Sequence, residues 1–137
     1  MSPTESADED LIAAASAVRA HAYAPYSQFA VGAAIRAEDG RIYVGANVEN
    51  AAYPEGICAE AAAIAAMIAG GARRITAMAV VAASAAPVPP CGGCRQRIAE
   101  FAAPSTPIFL ASVDGARRLV TIGALLPFSF GAAHLPE

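Results

Sequence analysis

Apolar positions along the N-terminal part of the chain recur at helical spacing. They are Leu11, Ile12, Ala15, Val18 and Ala22. Ser6-Ala7-Asp8-Glu9 has the composition of a capping box, and Pro25 ends the pattern. We therefore predict a first helix in this region, with residues 1–7 as a flexible N-terminus.

The next segments have the pattern of β-strands. Phe29–Ala37 and Arg41–Val48 are separated by Glu38-Asp39-Gly40, in which the glycine tolerates a positive φ, so they predict a hairpin. Ile75–Ala83 is a run of β-branched and small apolar residues that is typical of a central strand. A further short strand is predicted at Ile108–Ala111.

Three more helices are predicted between and after these strands. The second helix, Cys58–Ala69, is rich in alanine and stops at Gly70-Gly71. The third covers about Cys91–Phe101, and Thr121–Leu126 has room for one or two turns. Strands that precede crossover helices indicate an α/β fold, a mixed sheet with helices on both faces. A chain of 137 residues suits one domain over residues 1–137.

Composition and charge exclude several classes of function. With 56% hydrophobic and 15% charged residues, the chain can bury a substantial core. A net charge of −3 argues against a nucleic-acid partner, which requires a basic face. No apolar run is long enough to cross a bilayer, and the polar, acidic start is unlike a signal peptide. We expect a cytoplasmic protein with no membrane association.

The three cysteines indicate a metal site. An odd number cannot pair completely as disulfides, and Cys91-Gly92-Gly93-Cys94 lets two sulfurs converge on one ion. Cys58 and Cys91 both lie at predicted helix starts, where backbone N–H groups favour thiolates. Three thiolates leave the fourth tetrahedral position of zinc open, as in catalytic sites. Glu60, close to the metal but outside the ligand set, suits a base acting on water there.

The cysteines have less specific interpretations when they are considered without Glu60. Cys91 and Cys94 alone are compatible with a redox dithiol or with half of a structural zinc site, for which His21 or His134 would be the fourth ligand. A redox pair leaves Cys58 and Glu60 unexplained, so the combined pattern favours a catalytic metal. It matches the known signature of zinc deaminases, with a histidine or cysteine as first ligand and a glutamate as proton shuttle.

Longer motifs resemble the small cytidine deaminases almost end to end. The matching segments are 26–34 (YSQFAVGAA), 47–53 (NVENAAY), 56–60 (GICAE), 90–96 (PCGGCRQ), 125–127 (LLP) and 130–131 (FG). The resemblance implies a three-layer α/β/α fold with a five-stranded mixed sheet. It also implies one zinc ion per chain, held by the three cysteines, and a homotetramer with sites at subunit interfaces.

Substrate contacts follow from the same resemblance. It implies that Phe29 packs against a pyrimidine ring, that Asn47 and Glu49 hydrogen-bond the ribose 3′-hydroxyl, and that the Ala59 N–H meets the base carbonyl. Tyr53 and Phe130 resemble residues that reach a neighbouring subunit's site, which would explain an apolar tail; intramolecular packing is the alternative. On pattern alone, Phe29 would be a core residue and Asn47 and Glu49 turn caps.

The implied activity is hydrolytic deamination of free cytidine and 2′-deoxycytidine in pyrimidine salvage. Zinc would activate water for attack at C4, while Glu60 moves protons to N3 and to departing ammonia. The alternatives are a deaminase for blasticidin S or modified cytosine nucleosides, a non-catalytic zinc-binding protein of the same fold, and a thiol redox protein.

One position departs from the family pattern. Many members have arginine directly after Cys-Ala-Glu, where this chain has Ala61. Because three thiolates on Zn²⁺ give a formal charge of −1, another group must compensate. The candidates are backbone N–H groups at the two helix starts and the arginines Arg95 and Arg97, which could equally be solvated helix residues. We expect backbone N–H donors to sulfur to retain the acidity of the metal.

Overall fold

The computed structural model describes residues 3–136, which form one five-stranded mixed sheet between layers of helices. The strands are β1 (Val31–Ala37), β2 (Ile42–Ala46), β3 (Ile75–Ala82), β4 (Pro107–Ser112) and β5 (Arg117–Thr121). The α-helices are α1 (Pro3–Arg19), α2 (Ala59–Ala69), α3 (Gly92–Phe101) and α4 (Ile122–Leu125), and 3₁₀ turns occupy Tyr53–Glu55 and Ala132–His134. The predicted α/β/α fold and five-stranded mixed sheet are confirmed.

The sheet has the order β2-β1-β3-β4-β5, with β3 at its centre. Only β3 and β4 are parallel; the other neighbouring pairs are antiparallel. The parallel pair requires the crossover through α3, and the antiparallel β1–β2 pair is the predicted hairpin, with Gly40 at φ +80°. Because β3 is covered on both faces, seven of its eight residues are buried.

Successive residues of the strands point to opposite faces, and each face has its own apolar cluster. The cluster under α1 contains Leu11, Ile12, Ala15, Ala34, Ala77, Ala79, Val81 and Ala111. The other cluster joins the sheet to α2, α3 and α4 through residues such as Ile35, Met67, Met78, Ile98 and Ile122. At Gly45 in β2, an added Cβ would lie 2.7 Å from the Ala59 carbonyl oxygen, so a glycine allows α2 to pack closely on the sheet.

Two predictions for local structure need correction. Helix α1 begins at Pro3, before the capping box at Ser6 that predicts its start; of the predicted flexible N-terminus, residues 1 and 2 lie outside the described part. The helix also ends at Arg19 instead of continuing to Ala22, because the Tyr23 N–H donates to the Asn47 carbonyl (2.9 Å) and turns the chain toward the sheet.

Strand β5 is absent from the segment-by-segment prediction. It begins with two exposed arginines and has no buried apolar run, so its pattern was not recognised. The turn signal Asp114-Gly115, between β4 and β5, was available in the sequence, and Gly115 has φ +101°. No helix within residues 3–136 is long and apolar enough to cross a membrane.

Candidate active site and metal centre

Two helix N-termini bring the three cysteines together. Cys58 is the N-cap of α2 and Cys91 is the N-cap of α3, both with extended backbone, and Cys94 lies in the first turn of α3. The three sulfur atoms lie within 4.8 Å of one another. They form the cysteine cluster, to which both helices direct the positive ends of their dipoles.

The cysteine cluster fits zinc in donor type and in size. Thiolates are the ligands that zinc prefers over harder cations. A tetrahedral zinc with Zn–S bonds of about 2.3 Å places sulfurs about 3.8 Å apart, and the three sulfurs here all lie within 4.8 Å of one another. In residues 3–136, His134 instead pairs with Gly131 and stacks on Phe130, and neither it nor His21 belongs to the cluster. Three protein ligands leave a position for water.

The thiol pKa values differ within the cysteine cluster. Burial raises the pKa of Cys58 and of Cys94, whereas a hydrogen bond from the Cys94 N–H lowers the pKa of Cys91. Metal binding has to displace the protons of the Cys58 and Cys94 thiols. Metal occupancy of the cluster is therefore linked to pH.

Glu60 is the buried carboxylate beside this cluster. Its side chain is 5% exposed and it lines the same cavity as Cys58 and Cys91, but it is not part of the metal-binding trio. Burial raises the pKa of Glu60, opposed by a backbone hydrogen bond and by the charge of Arg97. A carboxylate that takes up a proton more readily than usual is suited to proton transfer near neutral pH.

Two adjoining cavities lead to the cysteine cluster. The inner cavity, of about 270 Å³, is lined by Ser27, Phe29, Val31, Asn47, Glu49, Cys58, Ala59, Glu60, Val80, Val88, Pro89 and Cys91. The outer cavity, of about 370 Å³, is lined by Tyr26, Ser27, Glu49, Asn50, Tyr53 and Gly56. Because Ser27 and Glu49 line both, the two cavities adjoin, and the reactive groups line the inner one.

The loop before β1 is held by Glu49. Its Oε1 accepts from the backbone N–H groups of Tyr26 and Ser27 (both 3.0 Å), and its Oε2 accepts from the Ser27 hydroxyl. The Ser27 hydroxyl oxygen in turn accepts from the Phe29 N–H (3.0 Å). These bonds, the Ser27 hydroxyl first, lower the pKa of Glu49 and keep it ionised. They fix the backbone on either side of Gln28, which has φ +60°.

Asn47, directly after β2, holds the same loop by hydrogen bonds. Its Oδ1 accepts from the Val31 N–H (2.8 Å), and its Nδ2 donates to the Phe29 carbonyl (2.9 Å). Phe29 therefore does not belong to β1 as predicted; it precedes the strand, 37% exposed, with its ring on the inner cavity. Asn47 and Glu49 both line that cavity, each with a hydrogen-bonding position to spare.

The two aromatic residues expected to reach a neighbouring subunit are at the surface. Tyr53 is 77% exposed, lines the outer cavity and meets the ring of Tyr26 edge-on at 6.0 Å. Phe130 is 57% exposed and stacks on His134, and its carbonyl accepts from Gln96 Nε2 (2.8 Å). Phe130 lines neither cavity of its own chain.

The structure distinguishes the two arginines of α3. Arg95 donates from Nε to the Pro90 carbonyl (2.8 Å) and from Nη1 to the Leu125 carbonyl (2.9 Å), so it connects the cysteine turn to α4. Arg97 instead donates from Nη1 to Cys94 Sγ (3.6 Å). The sequence leaves both roles open. Ser27, Val88 and Pro89 line the inner cavity without being among the predicted site residues, although Ser27 lies in a matched motif and the proline-rich run indicates a rigid loop.

Known proteins are similar to this chain over most of its length. Residues 5–110 match the family model described as the cytidine and deoxycytidylate deaminase zinc-binding region. A cytidine deaminase of Sporosarcina psychrophila is 47% identical over 127 residues, 93% of each chain, and one of Mycobacterium tuberculosis is 41% identical over 86% of this chain and 85% of its own.

Solved structures of cytidine deaminases are similar to this chain in sequence and in fold. The crystal structure of cytidine deaminase from Burkholderia pseudomallei is 44% identical, with a TM-score of 0.86 over 89% of this chain and 98% of its own. That from Mycobacterium tuberculosis has a TM-score of 0.78, with 38% identity over 90% and 96%. With a zinc-binding family model and one cluster of three cysteines within residues 3–136, the cofactor is zinc, one ion per chain.

Proposed function

Because this chain belongs to the cytidine and deoxycytidylate deaminase family, we propose that it deaminates free cytidine and 2′-deoxycytidine in pyrimidine salvage. The products are uridine and 2′-deoxyuridine, together with ammonia. The observation that carries the proposal is a single cavity lined by Cys58 and Cys91 of the cysteine cluster, by the buried Glu60 and by Phe29.

The chemistry divides between the metal and Glu60. Zinc on Cys58, Cys91 and Cys94, when bound, supplies Lewis-acid activation of water. Glu60 takes one proton from the water as its oxygen bonds to C4, and passes that proton to N3 of the base. It then moves the remaining proton of the hydroxyl added at C4 to the exocyclic amine, so that the C4–N bond breaks, ammonia leaves and the C4 carbonyl forms. Its burial favours this role, because a raised pKa brings its two protonation states closer in energy near neutral pH.

The walls of the inner cavity orient the base. Phe29 packs on one face of the pyrimidine, and Val80, Val88 and Pro89 complete an apolar enclosure that excludes water. The Ala59 N–H is among the first-turn donors of α2, which have no acceptor within the helix, and it donates to the base carbonyl. Correct orientation of this kind contributes several kcal/mol of barrier reduction, on the order of 7 in well-aligned cases.

The sugar lies on the side of the inner cavity that Asn47 and Glu49 line, and both residues hydrogen-bond its 3′-hydroxyl. Both side chains retain free capacity, so they hold the Phe29 loop and the sugar together without exchanging partners. Since Glu49 is held ionised, it repels a 5′- or 3′-phosphate nearby. This favours nucleosides over deoxycytidylate and over nucleic acids, in line with the net charge of −3.

The exposed aromatic residues favour a homotetramer with sites at subunit interfaces. Phe130 and Tyr53 are large and exposed, and neither contributes to the core of its own chain. Phe128, two residues before Phe130, is fully exposed. Burial of such residues in a symmetric assembly lets the tail of one subunit close the site of another. Light scattering gives the assembly mass, and Phe130→Ala is expected to raise KM while leaving the zinc content unchanged.

The direct test is the steady-state loss of absorbance as cytidine and deoxycytidine become uracil nucleosides. The parent, Glu60→Gln and the control Glu100→Gln, an exposed acid on α3, are compared with zinc assayed in each. We expect near-complete loss of turnover in Glu60→Gln with one zinc per chain retained, and no loss in the control. Parallel assays with deoxycytidylate and blasticidin S test the substrate class.

Each other outcome points to one alternative. If the zinc-loaded parent acts on blasticidin S or deoxycytidylate and leaves nucleosides untouched, the substrate assignment is wrong. If it binds zinc and acts on none of these, it is a non-catalytic zinc protein. Thiol cycling of Cys91 and Cys94 without stoichiometric zinc would indicate a redox protein.

A further inference from the structure

Arg97 lies one helical turn after Cys94, on the same side of α3. Residues three apart on a helix are neighbours, and here Arg97 Nη1 donates to Cys94 Sγ at 3.6 Å. Cys94 is completely buried, whereas Arg97 is exposed, so the guanidinium reaches the sulfur from the solvent side. A Cβ at Gly93 would lie 3.3 Å from Nη1, so the glycine leaves the space that this contact occupies.

The charge of the cysteine cluster shows why this contact matters. Zn²⁺ with three thiolates has a formal charge of −1, and the Glu60 carboxylate adjoins it in the same cavity. The loaded centre therefore holds negative charge on its sulfurs, next to a carboxylate. A cation beside a sulfur therefore favours the loaded state and draws electron density away from that sulfur.

The other cationic candidates do not supply this charge. Arg95 is committed to the carbonyls of Pro90 and Leu125, away from the sulfurs. Position 61, directly after Glu60 on α2, is an alanine. Within residues 3–136, Arg97 is the cationic side chain with a hydrogen bond to a cysteine sulfur.

We propose that Arg97 is a positioning residue for the zinc centre, which donates to Cys94 and offsets the negative charge of the loaded cluster in place of a cation at position 61. The inference rests on the proposed function only in assigning a metal to the three cysteines. It requires no particular substrate, and so the two can fail separately.

The test compares Arg97→Gln, which removes the charge, with Arg97→Lys, which keeps it. Arg74→Gln is the control, because Arg74 is equally exposed but precedes β3, at the opposite end of that strand from the cavity residue Val80. Zinc affinity is measured by competition with a chromophoric chelator. The sulfur-to-metal charge-transfer band is recorded after replacement of zinc by Co²⁺, and thermal unfolding verifies that each variant is folded.

We expect Arg97→Gln to bind zinc about 10- to 100-fold more weakly, the range for loss of a group that hydrogen-bonds a metal ligand. The charge-transfer band should move to lower energy, because electron density returns to the sulfur. Arg97→Lys should recover most of the zinc affinity, and Arg74→Gln should match the parent in affinity and spectrum.

Two outcomes would overturn the proposal. In the first, Arg97→Gln keeps the zinc affinity and the cobalt spectrum of the parent. In the second, affinity falls in the glutamine and lysine variants alike with the band unmoved, which indicates a packing role for the long side chain. If the expected changes occur in a protein that does not deaminate nucleosides, the proposed function fails and the role of Arg97 stands.

Discussion

Replacing Arg95 by methionine removes the connection between the cysteine turn and α4. The guanidinium donates to the carbonyl of Pro90, directly before Cys91, and to the carbonyl of Leu125, the last residue of α4. Carbonyl groups at the end of a helix have no partner within it, so the second bond satisfies an acceptor that would otherwise need water. Methionine retains most of the aliphatic stem and loses only the donors.

The cost follows from the two bonds. A hydrogen bond with one charged partner contributes about 1.5–3 kcal/mol when it is formed inside a protein. Arg95 is half-buried, so water replaces part of each bond and the lower end applies, about 3 kcal/mol for the pair. For a chain of 137 residues this corresponds to a fall in Tm of roughly 10 °C.

The assay is urea and thermal unfolding of zinc-free protein under reducing conditions, since bound zinc would add a binding contribution to the apparent stability. Arg74→Met, which removes an equal charge from an exposed position, is the reference. If the free energy of unfolding of Arg95→Met lies within about 0.5 kcal/mol of this reference, the ordinary range for surface changes, the two bonds do not stabilise the turn and the reasoning fails.

Three further predictions concern packing, titration and charge. Gly45→Val forces α2 off the sheet and should cost about 3 kcal/mol or more, whereas Gly131→Val, with open space around it, should change the urea midpoint little. Burial raises the pKa of Glu60 in the folded state, so the free energy of unfolding falls as pH rises from the pKa of Glu60 in the unfolded chain through its raised pKa in the folded protein. Zinc-free Glu60→Gln should therefore be more stable than the parent at about pH 7.5 and equal to it at about pH 4. Ala61→Arg should raise kcat less than about tenfold with KM unchanged, since Arg97 already donates to the cluster; a larger gain would show that its compensation is incomplete.

Local signals in the sequence were sufficient for most of the secondary structure. The stop at Gly70-Gly71, the hairpin around Gly40 and the β-branched run at β3 each depend on backbone preferences of neighbouring residues. The edge strand β5 was missed because an exposed edge strand has no buried face to impose an apolar pattern. The start of α1 was also placed too late, because a capping-box sequence at Ser6 is equally compatible with a helix interior.

The reactive groups lie in two short segments of the chain, and for that reason the sequence alone predicted which residues they are. Cys58 and Glu60 lie at one helix start and Cys91 and Cys94 at another, so their spacing alone keeps the members of each pair close together. Only the tertiary structure decided which arginine meets a sulfur, which bonds hold Glu49 and how deeply Glu60 is buried. Those properties depend on side-chain directions and on neighbours far along the chain, because a local pattern does not specify what another helix or loop places opposite it.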